Sequence, residues 1–267
     1  MISFVATPIG NLGDITVRAL ETLKKADVVY CEDTRHTVKL LNAFDIRKPL
    51  FACHKFNERE AAERIIADAR EGKEIAVVSD AGMPVISDPG NVVCVALKEA
   101  GIPYTVVPGA NAALSALLLS GLPADRFTFI GFLPEKTGEK KKFLEEFASL
   151  KTTLLFHSAP QDVDKDISAM FEAFGDRRAA AVREITKIHE ESVSFNLSEG
   201  LSGEKRGEYV LVVEGAKETE NALNDLSETE HIRYYMSLGY DKKEALKLAA
   251  KDRGVSKSVL YPFAVDL

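Results

Sequence analysis

The chain has 267 residues, of which 46% are hydrophobic. That length and apolar content supply a substantial core for one large or two modest domains and exclude intrinsic disorder. The formal net charge of −7 excludes a protein coated in positive charge, so any nucleic-acid contact must be local and salt-dependent.

The N-terminus, MISFVATPIG, is strand-like at once and lacks a basic n-region or cleavage site, so no signal peptide is expected. The longest apolar stretches, such as AALSALLLSGL, fall short of the ~20 residues that cross a bilayer. A cytosolic protein with no membrane association is expected. Cys31, Cys53 and Cys94 are widely spaced without a CxxC pair, which predicts ordinary buried thiols. His36, His54 and His157 are scattered, and no metal site is expected.

In chain order, ISFVA, DVVYC, PLFAC, EIAVVS and YTVV read as strands. Between and after them, segments 15–25, 37–44, 58–71, 91–100 and 111–119 have helical period. This alternation predicts an α/β domain with a largely parallel sheet. Gly101 with Pro103 and Gly121 with Pro123 stop two of the helices. EKTGEKKKF reads as a charged connection between lobes, with Lys140, Lys141 and Lys142 at a solvated helix start. TTLLFHS, RAAAVRE, SVSFNL and EYVLVVEG are further strands, with a helix near 163–174, and suggest a second α/β lobe with a mixed sheet. From about Glu228 the chain is helical, with DKKEALKLAAKDRG and a short helix from Ser256 forming a helix-turn-helix shape. From His231 onward seven Lys or Arg face four Asp or Glu, whereas KETENALNDLSETE before it is acidic.

Three strands run into loops rich in glycine and proline. TPIGNLGDIT precedes a helix that Asp14 is placed to cap, but it lacks the endings of a nucleotide-triphosphate loop or a dinucleotide fold. SDAGMPVISDPG sits at the carboxyl end of a predicted parallel strand, where open α/β sheets bind ligands. Asp88 is either a ligand or the cap of the next helix; Asp80 comes too early to cap and is the better ligand candidate. In VPGANAALSALLLSGL the small residues either pack helix on sheet or let an extended ligand approach Asn111 and Ala112.

Together with ADVVYCEDTR, FIGFLP, REITKIHEE and GEYVLVVEG, these loops resemble, in order, the motifs of the ribosomal RNA cytidine-2'-O-methyltransferase family of the tetrapyrrole-methylase superfamily. The resemblance covers essentially the whole chain. It implies a two-lobed class III methyltransferase fold binding S-adenosylmethionine between lobes 1–122 and 123–220, with a small helical domain at 228–267. It also implies a homodimer acting on small-subunit ribosomal RNA within the assembled subunit rather than on DNA. By motif position, the donor should contact Pro8, Asp80, Met83, Ile86, Asn111 and Ala112, with Phe156 and His157 closing over the adenosine. Corrin and porphyrin methylases carry a GDP tripeptide where this chain has Gly82, Met83 and Pro84, which favours the RNA-modifying branch.

Methyl transfer needs a hydroxyl oxygen within about 3–3.5 Å of the methyl carbon, and a base to take its proton. Glu184 and Lys187 of REITKIHEE are the expected pair near the hydroxyl, with Arg35 on a phosphate and Asp33 beside it. EDTR is also readable as a structural ion-pair network. The basic tail is a candidate RNA contact or a dimer prop. Competing readings are a corrinoid-precursor methylase and a non-catalytic nucleotide-binding module.

Overall fold

The computed structural model describes residues 1–217, 223, 226–265 and 267. The described residues form two compact units, Met1–Ala216 and Lys217–Leu267. The end of the second lobe expected at 220 falls on residues outside the described ones.

The larger unit holds two five-stranded sheets. The first comprises β1 (Ile2–Val5), β2 (Val28–Cys31), β3 (Leu50–Ala52), β4 (Ile75–Val78) and β5 (Tyr104–Val107) in the order β3-β2-β4-β1-β5, all parallel. Strands β1, β2 and β4 are buried on both faces, which is why they read as unbroken apolar runs. Alternate residues divide between two cores. Phe4, Tyr30 and Val77 pack with Ile65 of α3 (Glu58–Arg70) and Leu97 of α4 (Asn91–Glu99). On the other face, Val5, Val29 and Val78 meet Leu23 of α1 (Val17–Lys25) and Leu41 of α2 (Thr34–Ala43). Each such Leu or Ile contributes about 1.5–3 kcal/mol through burial.

The second sheet joins β6 (Phe127–Phe132), β7 (Thr153–Ser158), β8 (Arg178–Arg183), β9 (Glu191–Asn196) and β10 (Tyr209–Val213) in the order β6-β7-β10-β8-β9. It is mixed: β6 and β7 are parallel, and the remaining pairs antiparallel. One face packs on α6 (Thr137–Glu145) and α7 (Val163–Phe174) through Leu144, Met170 and Phe156. The other is covered by α5 (Ala112–Ser120), whose Ala113, Ala116 and Leu117 meet Leu155, Val182 and Val210. Helix α5 thus follows the first sheet in the chain but packs on the second, and so ties the two together.

Two local expectations are corrected. Thr16, whose side chain accepts from the Ala19 amide at 3.0 Å, caps α1, while Asp14 closes a preceding 3-10 turn. EKTGEKKKF does not connect two lobes but runs into α6, between β6 and β7 of the second sheet, and Lys140 is buried rather than solvated. Lys140 lies one turn before the buried Leu144, on the face toward α7, and its ammonium meets Asp166 at 2.5 Å. Asp166 also accepts from the Ser158 hydroxyl at 2.6 Å.

In the smaller unit, α8 (Glu228–Ser237) opens with a capping box of Ser227 and Glu230. It packs with α9 (Lys242–Asp252) and α10 (Lys257–Leu260) around Ile232, Ala245, Ala249 and Leu260. His231 is fully buried there. Its Nδ1 accepts from Arg253 Nε at 3.1 Å, so Nε2 carries the proton and donates to Asp252 at 3.1 Å.

Candidate active site

Because the first sheet is parallel, the loops after β1, β4 and β5 leave it on the same side. Paired hydrogen bonds between Thr7 and Gly82, at 2.9 and 3.0 Å, bind the first loop to the second. The third lies so close that a Cβ on Gly109 would come within 2.9 Å of Ala6 Cβ. From the second sheet, the carboxyl ends of β6, β7 and β8 and the start of β10 come to the same place, because β10 runs opposite to β7 and β8.

The space enclosed is a cavity of about 440 Å³, within the roughly 300–1,000 Å³ usual for small-molecule sites. One wall carries Ile9, Gly82, Met83 and Ile86; the other carries Phe132, His157 and Tyr209. His157 lies between Phe129 and Phe132, each with its ring centroid 5.3 Å away. Burial pushes the His157 pKa below its ordinary value, so the ring is neutral at pH 7 and presents a flat surface suited to a purine. Asp80, Asp88, Glu184 and Glu208 also line the cavity, with Lys187 as the cation among them. This acidic excess suits a cationic ligand. Asp88 does not cap α4, whose cap is Gly90. Burial raises its pKa, opposed by a hydrogen bond with Ser79. The Gly90 amide is held instead by the Glu58 carboxylate.

Glu184 and Lys187 form an ion pair at 2.8 Å in the turn after β8. That hydrogen bond holds the Glu184 carboxyl below the usual carboxylate range. The pair is boxed by two glycines. A Cβ on Gly10 would lie 2.7 Å from Lys187 Cγ, and one on Gly207 would lie 2.5 Å from Glu184 Cδ. Among the described residues, five other than glycine have positive φ, and four of them sit in the loops of this cavity: Val85, Ser87, Glu184 and Thr186. For the β-branched Val85 and Thr186 this is genuine strain, of the kind that persists where the surroundings enforce it.

Of the residues expected from sequence, Asp80, Met83, Ile86, Asn111, Ala112, His157, Glu184 and Lys187 line the cavity together. Asn111 caps α5, accepting from the Leu114 amide at 3.0 Å. Pro8 does not line the cavity; its neighbour Ile9 does. Phe156 is fully buried in the core with Met170 and Phe174, since strand alternation gives its neighbour His157 the cavity side. Asp33 caps α2 and grips the guanidinium of Arg35, with Nη2 at 2.6 Å. Arg35 holds the Asp33 pKa down to about 2. This local pair reaches the cavity at one remove, through the Asp33 amide on Asp80 Oδ1 at 3.1 Å. Sequence reasoning missed Phe132, Ser158 and Tyr209 as lining residues, although FIGFLP, TTLLFHS and GEYVLVVEG contain them.

The family model for tetrapyrrole (corrin/porphyrin) methylases matches residues 1–200, across the parallel sheet and most of the mixed one, so the protein is a methyltransferase of the tetrapyrrole type. The fold is shared with uroporphyrin-III-C-methyltransferase from Thermus thermophilus (TM-score 0.55, 23% identity, covering 80% of this chain and 93% of that one). It is shared also with a diphthine synthase (TM-score 0.61, 17% identity, 80% and 89%). The chain is 44% identical to ribosomal RNA small subunit methyltransferase I of Halalkalibacterium halodurans over 96% of its own length and 92% of that protein. It is 43% identical to the protein of that name from Bacillus subtilis, over 98% and 92%. The chain therefore belongs to the ribosomal RNA small subunit methyltransferase I family, and is an S-adenosylmethionine-dependent methyltransferase. The cavity fits that donor: a neutral aromatic wall for adenine and carboxylates for the sulfonium.

Proposed function

We propose that the protein methylates the ribose 2'-hydroxyl of a cytidine in 16S ribosomal RNA, within the assembled small subunit, in the cytoplasm. The observation that carries this reading is the Glu184–Lys187 pair on the wall of the donor cavity. Asp80, Met83, Ile86, Asn111, Ala112 and His157 would hold the donor, which supplies an electrophilic methyl carbon. The acceptor hydroxyl is a poor nucleophile, but its proton becomes strongly acidic as the new C–O bond forms. A weak base suffices at that moment, so the depressed pKa of Glu184 is compatible with accepting the proton. Lys187 keeps Glu184 ionised and aimed. Asp33 and Arg35 act at the rim, where Arg35 is 87% exposed and free to exchange its carboxylate for an RNA phosphate.

The protein works as a homodimer in this reading. Helix α5 is apolar on all sides, and its outward Leu118 is 81% exposed, with Leu114 and Leu119 of the same helix exposed too. A second copy of the chain would cover this face. The helical unit after Lys217 serves as an RNA contact through exposed Lys243, Lys247 and Lys251. Incubation with labelled donor and small subunits from cells lacking the protein should label one ribose, located by mass mapping of the RNA. Label on a tetrapyrrole instead, or no affinity for S-adenosylhomocysteine in calorimetry, would overturn the reading.

A further inference from the structure

Resting on that reading, the chemistry of the acceptor imposes a demand that the donor cavity does not meet. In RNA the carbon beside the one bearing the 2'-hydroxyl carries the 3'-phosphodiester. Whatever group serves the hydroxyl therefore has a phosphate within a few ångströms of it. In the cavity Lys187 is committed to Glu184, and Arg35, in the EDTR turn, lies outside the cavity lining and is placed to take a phosphate at the rim rather than the one beside Glu184.

A second concavity, of about 520 Å³, shares Glu184 with the donor cavity and is otherwise lined by Arg183, His189, Glu204 and Arg206. Arg183 closes β8 and spends its Nε on Glu191, directly opposite it on β9, at 2.7 Å. Its two Nη groups have no protein partner among the described residues, leaving that edge of the guanidinium for a further acceptor. Arg206 pairs with Glu204 at 2.9 Å, but both side chains are more than 70% exposed. Solvent-screened pairs of this kind hold weakly, so a phosphate can displace Glu204. His189 lies on the same rim, after the strained turn at Thr186.

We propose that this groove binds the phosphodiester on the 3' side of the acceptor ribose, with Arg183 and Arg206 presenting their forks to its oxygens. The groove fixes the sugar relative to Glu184, and the donor cavity fixes the methyl group.

The test uses the full-length protein, under-methylated small subunits and the variants Arg206→Gln and Arg183→Gln, with Arg126→Gln at the far end of β6 as control. Each groove variant should raise the subunit KM about tenfold or more and leave S-adenosylhomocysteine affinity unchanged. It should also make the plot of log kcat/KM against log salt shallower by about 0.7–0.9, the loss of one phosphate contact. The control should match the parent in all three. Arg206 is a surface residue and carries the test even where Arg183→Gln, which strips Glu191 of its partner, fails to fold. A parental KM and salt slope in folded Arg206→Gln would overturn the inference. Failure of the unmutated protein to label subunits would instead sink the substrate reading beneath it, and turnover by Glu184→Gln would sink the role of Glu184 alone.

Discussion

Gly207 looks dispensable, yet replacing it with alanine should remove most of the activity while leaving the fold. The new Cβ would lie 2.5 Å from Glu184 Cδ and 2.6 Å from Cγ, about 1 Å inside even the lower end of the ~3.5–4 Å of comfortable contact. At φ 75° an alanine also carries a left-handed penalty of about 1–2 kcal/mol. What it strikes is a half-buried side chain rather than backbone, so the clash is relieved by Glu184 swinging away. Stability should therefore fall by only about 1–2 kcal/mol, near the backbone penalty alone. The cost falls on chemistry: with Glu184 displaced from Lys187, kcat should drop about 10²–10⁴-fold, the range for a lost acid–base group. Thermal melting reports the first quantity, single-turnover methylation of small subunits the second, and calorimetry with S-adenosylhomocysteine shows that the donor site survives. A well-folded Gly207→Ala protein with the parental kcat would refute the argument.

Lys187→Met tests the pair through pH. Glu184 acts when ionised and Lys187 holds its pKa down, so activity should persist until the pH falls below the ordinary carboxylate range. Without Lys187 that pKa rises, and the acid limb of kcat/KM should move to higher pH; an unmoved limb counts against the pairing. Asp166→Asn strands the buried Lys140 ammonium and should cost about 3–5 kcal/mol, seen as a fall in Tm of roughly 6–20 °C. The double variant Lys140→Met with Asp166→Leu should recover much of it; no recovery would mean the damage lies elsewhere. Leu118→Asp should convert a dimer into a monomer in sedimentation, and an unchanged mass would place the subunit contact on another face.

Much of the architecture was legible because burial on both faces writes itself as continuous Val and Ile in β1, β2 and β4, and because α7 keeps its apolar spacing from Val163 to Phe174. Helix α6 was legible only as a solvated start, since its buried face is made by Lys140 with Leu144 and a lysine run reads as exposed. Within the site, the glycine and proline loops revealed the half contributed by the first sheet. Of the other half, His157, Glu184 and Lys187 came only through the family resemblance, not through spacing. Phe132, Ser158 and Tyr209 meet only because the second sheet is ordered β6-β7-β10-β8-β9, which spacing along the chain does not encode. Parity was the finer failure: Phe156 and Pro8 each stand one residue from a lining position, and a single step along an extended chain exchanges core for cavity.

The unfavourable backbone angle of Thr186 implies an untapped reserve of heat tolerance. Such a conformation costs about 1–3 kcal/mol, and the Thr186 hydroxyl adds a buried oxygen with no hydrogen-bond partner among the described residues. Glycine at Thr186 would relax the turn, so lineages selected only for endurance would drift toward it, trading away the rigidity that keeps Glu184 and Lys187 in register.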